Sequence, residues 1–214
     1  KNTVLEVSNK HLEELNAIKN TFLGIAAHDL KNPLSSIKML ARMLEEYADV
    51  MSVEEVRNSA RDIGVSSAQM FDLIVSLLDI NALEQGKVNL SMQVVEVGEL
   101  VRRTAEGYRA RAEKKGIELI IDVRQNYALI DSTKFIQITE NLISNAIKFS
   151  PEKSAIEVTT IVSDESIQIK IQDHGVGISE EDKQHLFERF FRGRNVTNIQ
   201  GTGLGLSIVA RYIE

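Results

Sequence analysis

The chain has no cysteine, no tryptophan and only two prolines in 214 residues. Without cysteine there is no disulfide framework and no thiolate metal site, which fits a reducing compartment. Basic charge is also short: 25 Lys and Arg stand against 31 Asp and Glu, a net charge of −6. A nucleic-acid partner asks for a basic face, so that class of ligand is disfavoured. No uninterrupted apolar run approaches the ~18 residues of a membrane span, and no signal peptide is visible. The sequence thus predicts no membrane segment of its own. What is present is a composition able to bury a core, 43% hydrophobic and 26% charged, in one large domain or two small ones. The first residue is Lys rather than Met, so the sequence reads as a piece of something longer.

The scarcity of proline and glycine divides the chain near residues 84 to 90. Before Gly86 the only such residues are Gly24, Pro33 and Gly64, and two long helices are predicted. Leu12, Leu15, Phe22, Ala26, Leu30, Ile37, Leu40 and Leu44 give the first an apolar stripe. The break falls at YADVMSVEE, where Ser52 with Glu55 forms a capping-box pattern that opens the second helix. There Val56, Ile63, Met70 and Leu77 recur every seventh residue, flanked by Ala60, Ile74 and Leu78. One hairpin cannot bury these stripes; two can, as a four-helix bundle, so a homodimer is expected. The leading segment around Leu5, Leu12 and Leu15 is weakly heptad-like and fits the continuation of an upstream coiled coil.

After Gly86 the texture changes. VVEV (94–97), IELIIDV (117–123), AIEVTTIV (155–162) and SIQIKIQ (166–172) read as strands. Helices are predicted at about 98–114, 132–149 and 179–190, with a last one from about 204. The order lacks a regular βαβ alternation, which predicts an α+β layer.

In FLGIAAHDLKNPLSSI (22–37) an apolar helix carries His28-Asp29 and then Pro33, which packing does not require. Proline inside a helix costs roughly 3 kcal/mol and should free a carbonyl and bend the helix. At roughly 100° per residue, Ala26, Leu30, Ile37 and Leu44 lie opposite His28, and Asn32 lies about 40° from it on the same side. His28 therefore faces solvent. It reads either as a plain surface histidine or as a nucleophile whose second nitrogen Asp29 can hold.

Three later stretches suit a nucleotide. In ENLISNAIKFSP, Asn141, Asn145 and Lys148 share one helix face within about 60°, offering two amide oxygens and an ammonium. Magnesium and phosphate suit such a set, although a polar helix face reads the same. In DHGVGIS, Asp173 ends a strand and can accept from an exocyclic amine, with Gly175 and Gly177 letting the backbone approach; a plain glycine turn is the alternative. In GTGLGLSIVARY, Gly201, Gly203 and Gly205 run into a helix whose first N–H groups can meet an anion. Neither a Walker loop nor a dinucleotide fingerprint fits it. Between them LFERFFRG holds Phe187, Phe190 and Phe191, with Arg192 and Arg194 either reaching phosphates or solvated, and NVTNIQ reads as a lid.

HDLKNPL, with His28, Asp29, Asn32 and Pro33, resembles the phosphoacceptor box of the sensor histidine kinases of two-component systems. The three later stretches resemble that family's N box and its two glycine boxes, and LFERFFRG its phenylalanine box, all in the family's order. The resemblance covers about residues 10 to 214. It implies a multidomain chain: an N-terminal coiled-coil linker over residues 1–19, a dimerisation and phosphotransfer domain over 20–86, and an ATP-binding catalytic domain over 90–214. The first is an all-α hairpin that pairs into a four-helix bundle, the second an α+β sandwich of the Bergerat fold. It further implies ATP and Mg²⁺ as cofactors, with Asn145 on the metal, Asn141 and Lys148 near the phosphates, and Asp173 on adenine. Phe149, Gly175, Gly177, Phe187, Arg192, Gly201, Thr202, Gly203, Leu204 and Gly205 complete the implied nucleotide site. Family members continue past the last helix with a terminal strand pair, so this chain, ending at Glu214, is expected to lack those strands. Gyrase-like and chaperone relatives place a water-activating glutamate where this chain has Asn141, and an amide is a poor general base.

The resemblance implies ATP-dependent phosphorylation of His28, then transfer to an aspartate of a response-regulator receiver domain. Asn32 matches a phosphatase determinant, and Asp29 serves the forward step. The alternatives are a nucleotide-binding signalling scaffold without turnover and a gyrase-type ATPase, the latter disfavoured by Asn141. A cytoplasmic location is expected for this portion, with an upstream sensory domain outside it and a full-length protein that membrane anchoring would suit.

Overall fold

The computed structural model describes residues 2–85, 89–163, 165–196, 199 and 201–213, without the side chains of 2–19, 21, 22 and 84. The chain divides into two compact units, residues 1–78 and 79–214.

The first unit is a helical hairpin. Helix α1, Asn2–Tyr47, runs through Pro33 without interruption. It ends at Tyr47, and α2, Val53–Glu84, starts after a short turn. That restart is capped as its residues predict: Glu55 N–H donates to Ser52 Oγ at 3.2 Å, and Ser52 N–H donates to Glu55 Oε2 at 2.8 Å. These reciprocal bonds satisfy donors that a helix start leaves bare. On α1, Ala26 is buried, with Leu30, Ile37, Leu40 and Leu44 half-buried. On α2, Val56, Ile63, Met70 and Leu77 are half-buried. A second row beside them, Ser59, Ser66, Leu73 and Ile80, is more deeply buried than the first. Ala60, Ile74 and Leu78 point elsewhere and stay exposed. The expected heptad residues Leu5, Leu12 and Leu15, and Phe22 of the stripe, lie outside the described side chains.

Helix α2 is long and apolar enough over Val53–Leu83 to cross a membrane by length and composition. The expectation of no membrane segment rested on uninterrupted runs, and an average over this helix passes over Asp72 and Asp79. The division between the compact units falls inside α2, between Leu78 and Asp79. Asp79 accepts from Gln137 Nε2 and lies 3.6 Å from Lys134 Nζ, which ties the last turn to the second unit.

The second unit contains β1 (Gln93–Glu96), α3 (Val97–Gly107), α4 (Arg109–Lys114), β2 (Glu118–Asp122), β3 (Tyr127–Ile130) and α5 (Ser132–Phe149). Then come β4 (Ala155–Val162), β5 (Ile167–Gln172), the short α6 (Glu180–Lys183), a 3₁₀ turn at Arg194–Val196 and α7 (Gly205–Ile213). Strands β2, β4 and β5 form one sheet, parallel between β2 and β4 and antiparallel between β4 and β5. Strands β1 and β3 form a separate antiparallel ribbon. The β-branched alternation of β4 turns Ile156 and Val158 inward, against Val101 and Ala105 of α3 and Ile143, Ala146 and Ile147 of α5. Helices on one side of a mixed sheet are the α+β layer that the element order predicts.

Three expectations fail. The helix at 98–114 is two helices, broken at Tyr108, whose N–H caps the first on Ala105 O. The strand β3 lies in the unpredicted YALI, where pairing with β1 supplies what local pattern does not. The helix at 179–190 is only Glu180–Lys183, followed by turns. Phe190 takes a left-handed φ of 61° and sends its N–H to Gly203 O at 3.0 Å, which no continuing helix allows.

Candidate functional site

His28 lies in the middle of α1 on the face opposite Ala26. Its side chain is 71% exposed, and Nδ1 stands 3.1 Å from Asp29 Oδ1. The carboxylate only accepts, so in the neutral ring Nδ1 carries the hydrogen and Nε2 keeps its lone pair toward solvent. Asn32 is exposed one turn further on. Pro33 lacks an N–H, so the carbonyl of Asp29 has no helical donor four residues on.

The second set gathers around α5. Asn141 donates from Nδ2 to Gln137 O at 3.0 Å, which turns its Oδ1 toward the start of α7. A Cβ on Gly205 would come within 2.5 Å of that oxygen, so the amide sits directly under the glycine-rich turn. Asn145 follows one turn later, half-buried. Lys148 lies one turn beyond, with Nζ 4.6 Å above the ring of Phe149. Its ammonium also abuts Gly201, where a Cβ would fall 2.1 Å away. Burial, then the like charges of Arg192 and Arg111, lower the Lys148 pKa to about 8. Gly203 holds a φ of 70°, and a Cβ there would meet Phe190 backbone at 2.7 Å, so only glycine fits that turn. Thr202 Oγ1 accepts from Leu204 N–H at 3.3 Å. Leu204 is fully buried, and its carbonyl accepts from Ser207 Oγ at 2.8 Å and Ile208 N–H at 3.1 Å, which anchors the start of α7.

Asp173 ends β5 as expected, and its Oδ1 accepts from Gly175 N–H at 2.8 Å. Gly175 is pressed against Phe149, since a Cβ would lie 2.8 Å from the Phe149 carbonyl oxygen. Lys148, Phe149 and Gly175 share the wall of a cavity of about 410 Å³ with Lys115, His174 and Val176. The structure therefore draws together the ends of the N box and the first glycine box, and separately Asn141 and Lys148 with the second. Asp173 stands exposed beside this cavity rather than on its wall.

Two expected residues are not on the wall of this cavity. Phe187 is 56% exposed, because the helix expected to carry it has ended. Arg192 Nη2 donates to Ile199 O at 2.6 Å and Val196 O at 3.1 Å, which folds its own loop. Gly177 has a left-handed φ of 69° and its carbonyl accepts from Asn195 at 3.1 Å. Thr197, Asn198 and Gln200 of the expected lid lie outside the described residues. Sequence reading missed Lys115 and His174. Lys115 reaches across to the last carbonyls of α5, Ile147 O at 2.8 Å and Lys148 O at 2.9 Å, a contact with no local signal. His174 could have been found, since it adjoins Asp173.

Among the described residues no cluster of three His, Cys, Asp or Glu side chains could hold a metal alone. A lone amide such as Asn145 fits a magnesium ion that arrives with a polyphosphate, keeping phosphate oxygens and waters as its other ligands.

An exposed, carboxylate-paired histidine on a helical hairpin, joined to an ATPase-type α+β layer, defines a phospho-acceptor protein with its own nucleotide domain. Two family models match in that order: the His Kinase A (phospho-acceptor) domain over residues 18–86, and the Histidine kinase-, DNA gyrase B-, and HSP90-like ATPase over 130–214. The chain belongs to the sensor histidine kinases. The Sensor-like histidine kinase SenX3 of Mycobacterium tuberculosis (strain ATCC 25618 / H37Rv) is 30% identical over 198 residues, covering 91% of this chain and 48% of that protein. The chain thus spans about half the length of that relative. The Acinetobacter baumannii histidine kinase AdeS shares the fold with a TM-score of 0.66 at 21% identity, covering 87% of this chain and 85% of that one. Histidine kinase ThkA, solved in complex with the response regulator protein TrrA, shares it with a TM-score of 0.63 at 19% identity over 87% and 55%. The phospho-acceptor match spans α2 to its end, which makes that apolar helix part of the hairpin domain.

Proposed function

We propose that this chain is the kinase core of a two-component sensor. It phosphorylates its own His28 from Mg²⁺-ATP and passes the phosphoryl group to an aspartate on a response-regulator receiver domain. The observation that carries this reading is the Asp29 carboxylate on His28 Nδ1, which leaves Nε2 exposed as the nucleophile. Nε2 attacks the γ-phosphorus in line, the bond from phosphorus to the bridging oxygen breaks, and ADP leaves. The Nδ1 proton is then held or taken by Asp29, so the imidazole does not build up a second positive charge.

In the second unit, Asp173 and Phe149 hold adenine, Asn141 and Lys148 face the phosphates, and Asn145 takes Mg²⁺. A magnesium ion held by Asn145 would neutralise charge on the phosphoryl oxygens, and positioning by the surrounding residues supplies much of the rest. Gly175, Gly177, Gly201, Gly203 and Gly205 carry backbone close to the ligand, with Thr202 and Leu204 between them. Phe187 and Arg192 belong to the segment that closes over it. Boundaries at 1–19, 20–86 and 90–214 follow from the residue pattern. Asn32 orients a water for dephosphorylation of the regulator. The protein acts as a homodimer, and the absence of cysteine and the need for ATP favour the cytoplasm for this portion.

The test is transfer of label from [γ-³²P]ATP to the protein. Acid-labile, base-stable label that vanishes in His28→Gln, with ATP binding retained, is the expected result. Label that survives His28→Gln overturns the assignment. A scaffold without turnover would bind ATP and take no label, and a gyrase-type ATPase would release free phosphate instead.

A further inference from the structure

The cavity beside Asp173 carries a polar group that the nucleotide site above does not use. His174 lines it together with Phe149, Gly175 and Val176. His174 Nδ1 lies 3.1 Å from the carbonyl oxygen of Ala155, the first residue of β4. A carbonyl oxygen only accepts, so Nδ1 holds the ring's hydrogen and the neutral ring presents Nε2 as a bare acceptor. Of the other polar groups on that wall, Lys115 and Ser150 are committed or closed off, while Lys148 lies toward the second glycine box. Lys115 Nζ is bonded to Ile147 O and Lys148 O, Lys148 Nζ is pressed on Gly201, and Ser150 is only 2% exposed. Asp173 in turn has spent Oδ1 on Gly175 N–H and keeps Oδ2. Two neighbouring residues therefore each keep one acceptor beyond the bond already made.

We propose that His174 is a base-specificity residue: with Asp173 taking one hydrogen of an adenine 6-amine, His174 Nε2 accepts the other. An exocyclic amine is the group with two hydrogens to give. A 6-keto purine brings an oxygen there, and both protein acceptors then face a lone pair and lose the hydrogen bonds that the amine gives. The proposal rests on reading this cavity as the base end of the nucleotide site.

The test compares dissociation constants for ATP, GTP and purine riboside triphosphate, which lacks the 6-amine, on the 214-residue chain. The wild type should bind ATP more tightly than the amine-free analogue. In His174→Phe that advantage should shrink by roughly 2- to 10-fold, the worth of one neutral hydrogen bond, with the GTP discrimination shrinking alongside. An amine dependence identical in wild type and His174→Phe overturns the proposal. Should His174→Phe fail to fold by thermal melting, His174→Asn keeps a donor near Ala155 O without the far ring nitrogen and gives the same readout. Tight ATP binding by the wild type without any amine dependence would overturn the base-site reading itself, a result distinct from failure at His174 alone.

Discussion

Lys148 is held where a charge is costly, between the Phe149 ring and Gly201 and facing the like charges of Arg192 and Arg111. Its pKa of about 8 lies below the ordinary lysine value of 10.5. Between those two values the unfolded chain binds a proton that the folded one does not, so folding stability from this group rises with pH across that window. Below about pH 8 both states are protonated and the dependence ends. Denaturant titrations from pH 7 to 10.5 should show this rise in the wild type and a flatter profile in Lys148→Met. A polyphosphate beside the ammonium restores its charge, so ATP binding near pH 8 should take up protons. Calorimetry in buffers of different ionisation heat measures that uptake directly. The roles proposed for Asn32 and Asp29 are tested at the same scale. In a full-length protein with its own regulator, Asn32→Ala should keep autophosphorylation and lose phosphatase activity, because an amide orients a water but is no nucleophile. Asp29→Asn should lose autophosphorylation first. Equal loss of both activities in Asn32→Ala, with circular dichroism unchanged, would refute the division.

At the element scale, local chemistry was most legible where it acts within one turn. The α2 start is such a case. The Ser52 hydroxyl, then its backbone N–H, hold the Glu55 carboxyl below the usual carboxylate range. Ser52→Ala should lower stability by about 1 kcal/mol, seen in thermal or denaturant unfolding followed by helical circular dichroism. An unchanged midpoint would show the cap to be idle. Helix α5 and strand β4 follow the 3.6 and 2 periodicities so closely that their ends match expectation. The second row of α2 was hidden because Ser59 and Ser66 occupy it, and small polar residues leave no hydrophobic signature. The segment 184–190 reads as helix by composition, yet the Phe190 N–H is claimed by Gly203, more than ten residues further along the chain. Local propensity cannot register a partner at that distance.

At the scale of the whole molecule, the hairpin exposes apolar surface that one chain does not cover. Phe71 is 66% and Leu78 63% exposed, with Ile74 and Val75 also open on the same helix. The proposed homodimer would cover this stripe with a second hairpin, as in a four-helix bundle. Phe71→Glu together with Leu78→Glu should shift the chain from dimer toward monomer in light scattering or sedimentation equilibrium. A dimer of undiminished stability in the double variant would place the interface elsewhere.

The phosphoacceptor box, the order of the nucleotide boxes and the two-part division could all be read along the chain. Each is carried by neighbours within one or two helical turns: His28 with Asp29 and Asn32, Asn141 with Asn145 and Lys148, and Gly201 with Gly203 and Gly205. Tertiary structure alone decided that Asn141 sits under Gly205, that Lys148 is pressed on Gly201, and that Lys115 closes the end of α5. It also decided that β3 pairs with β1, and that His174 turns one ring nitrogen to Ala155 and keeps the other free. Backbone periodicity is a short-range property written into residue types. The desolvation, close approach and hydrogen-bond commitment that tune a site depend on atoms brought together from distant parts of the chain.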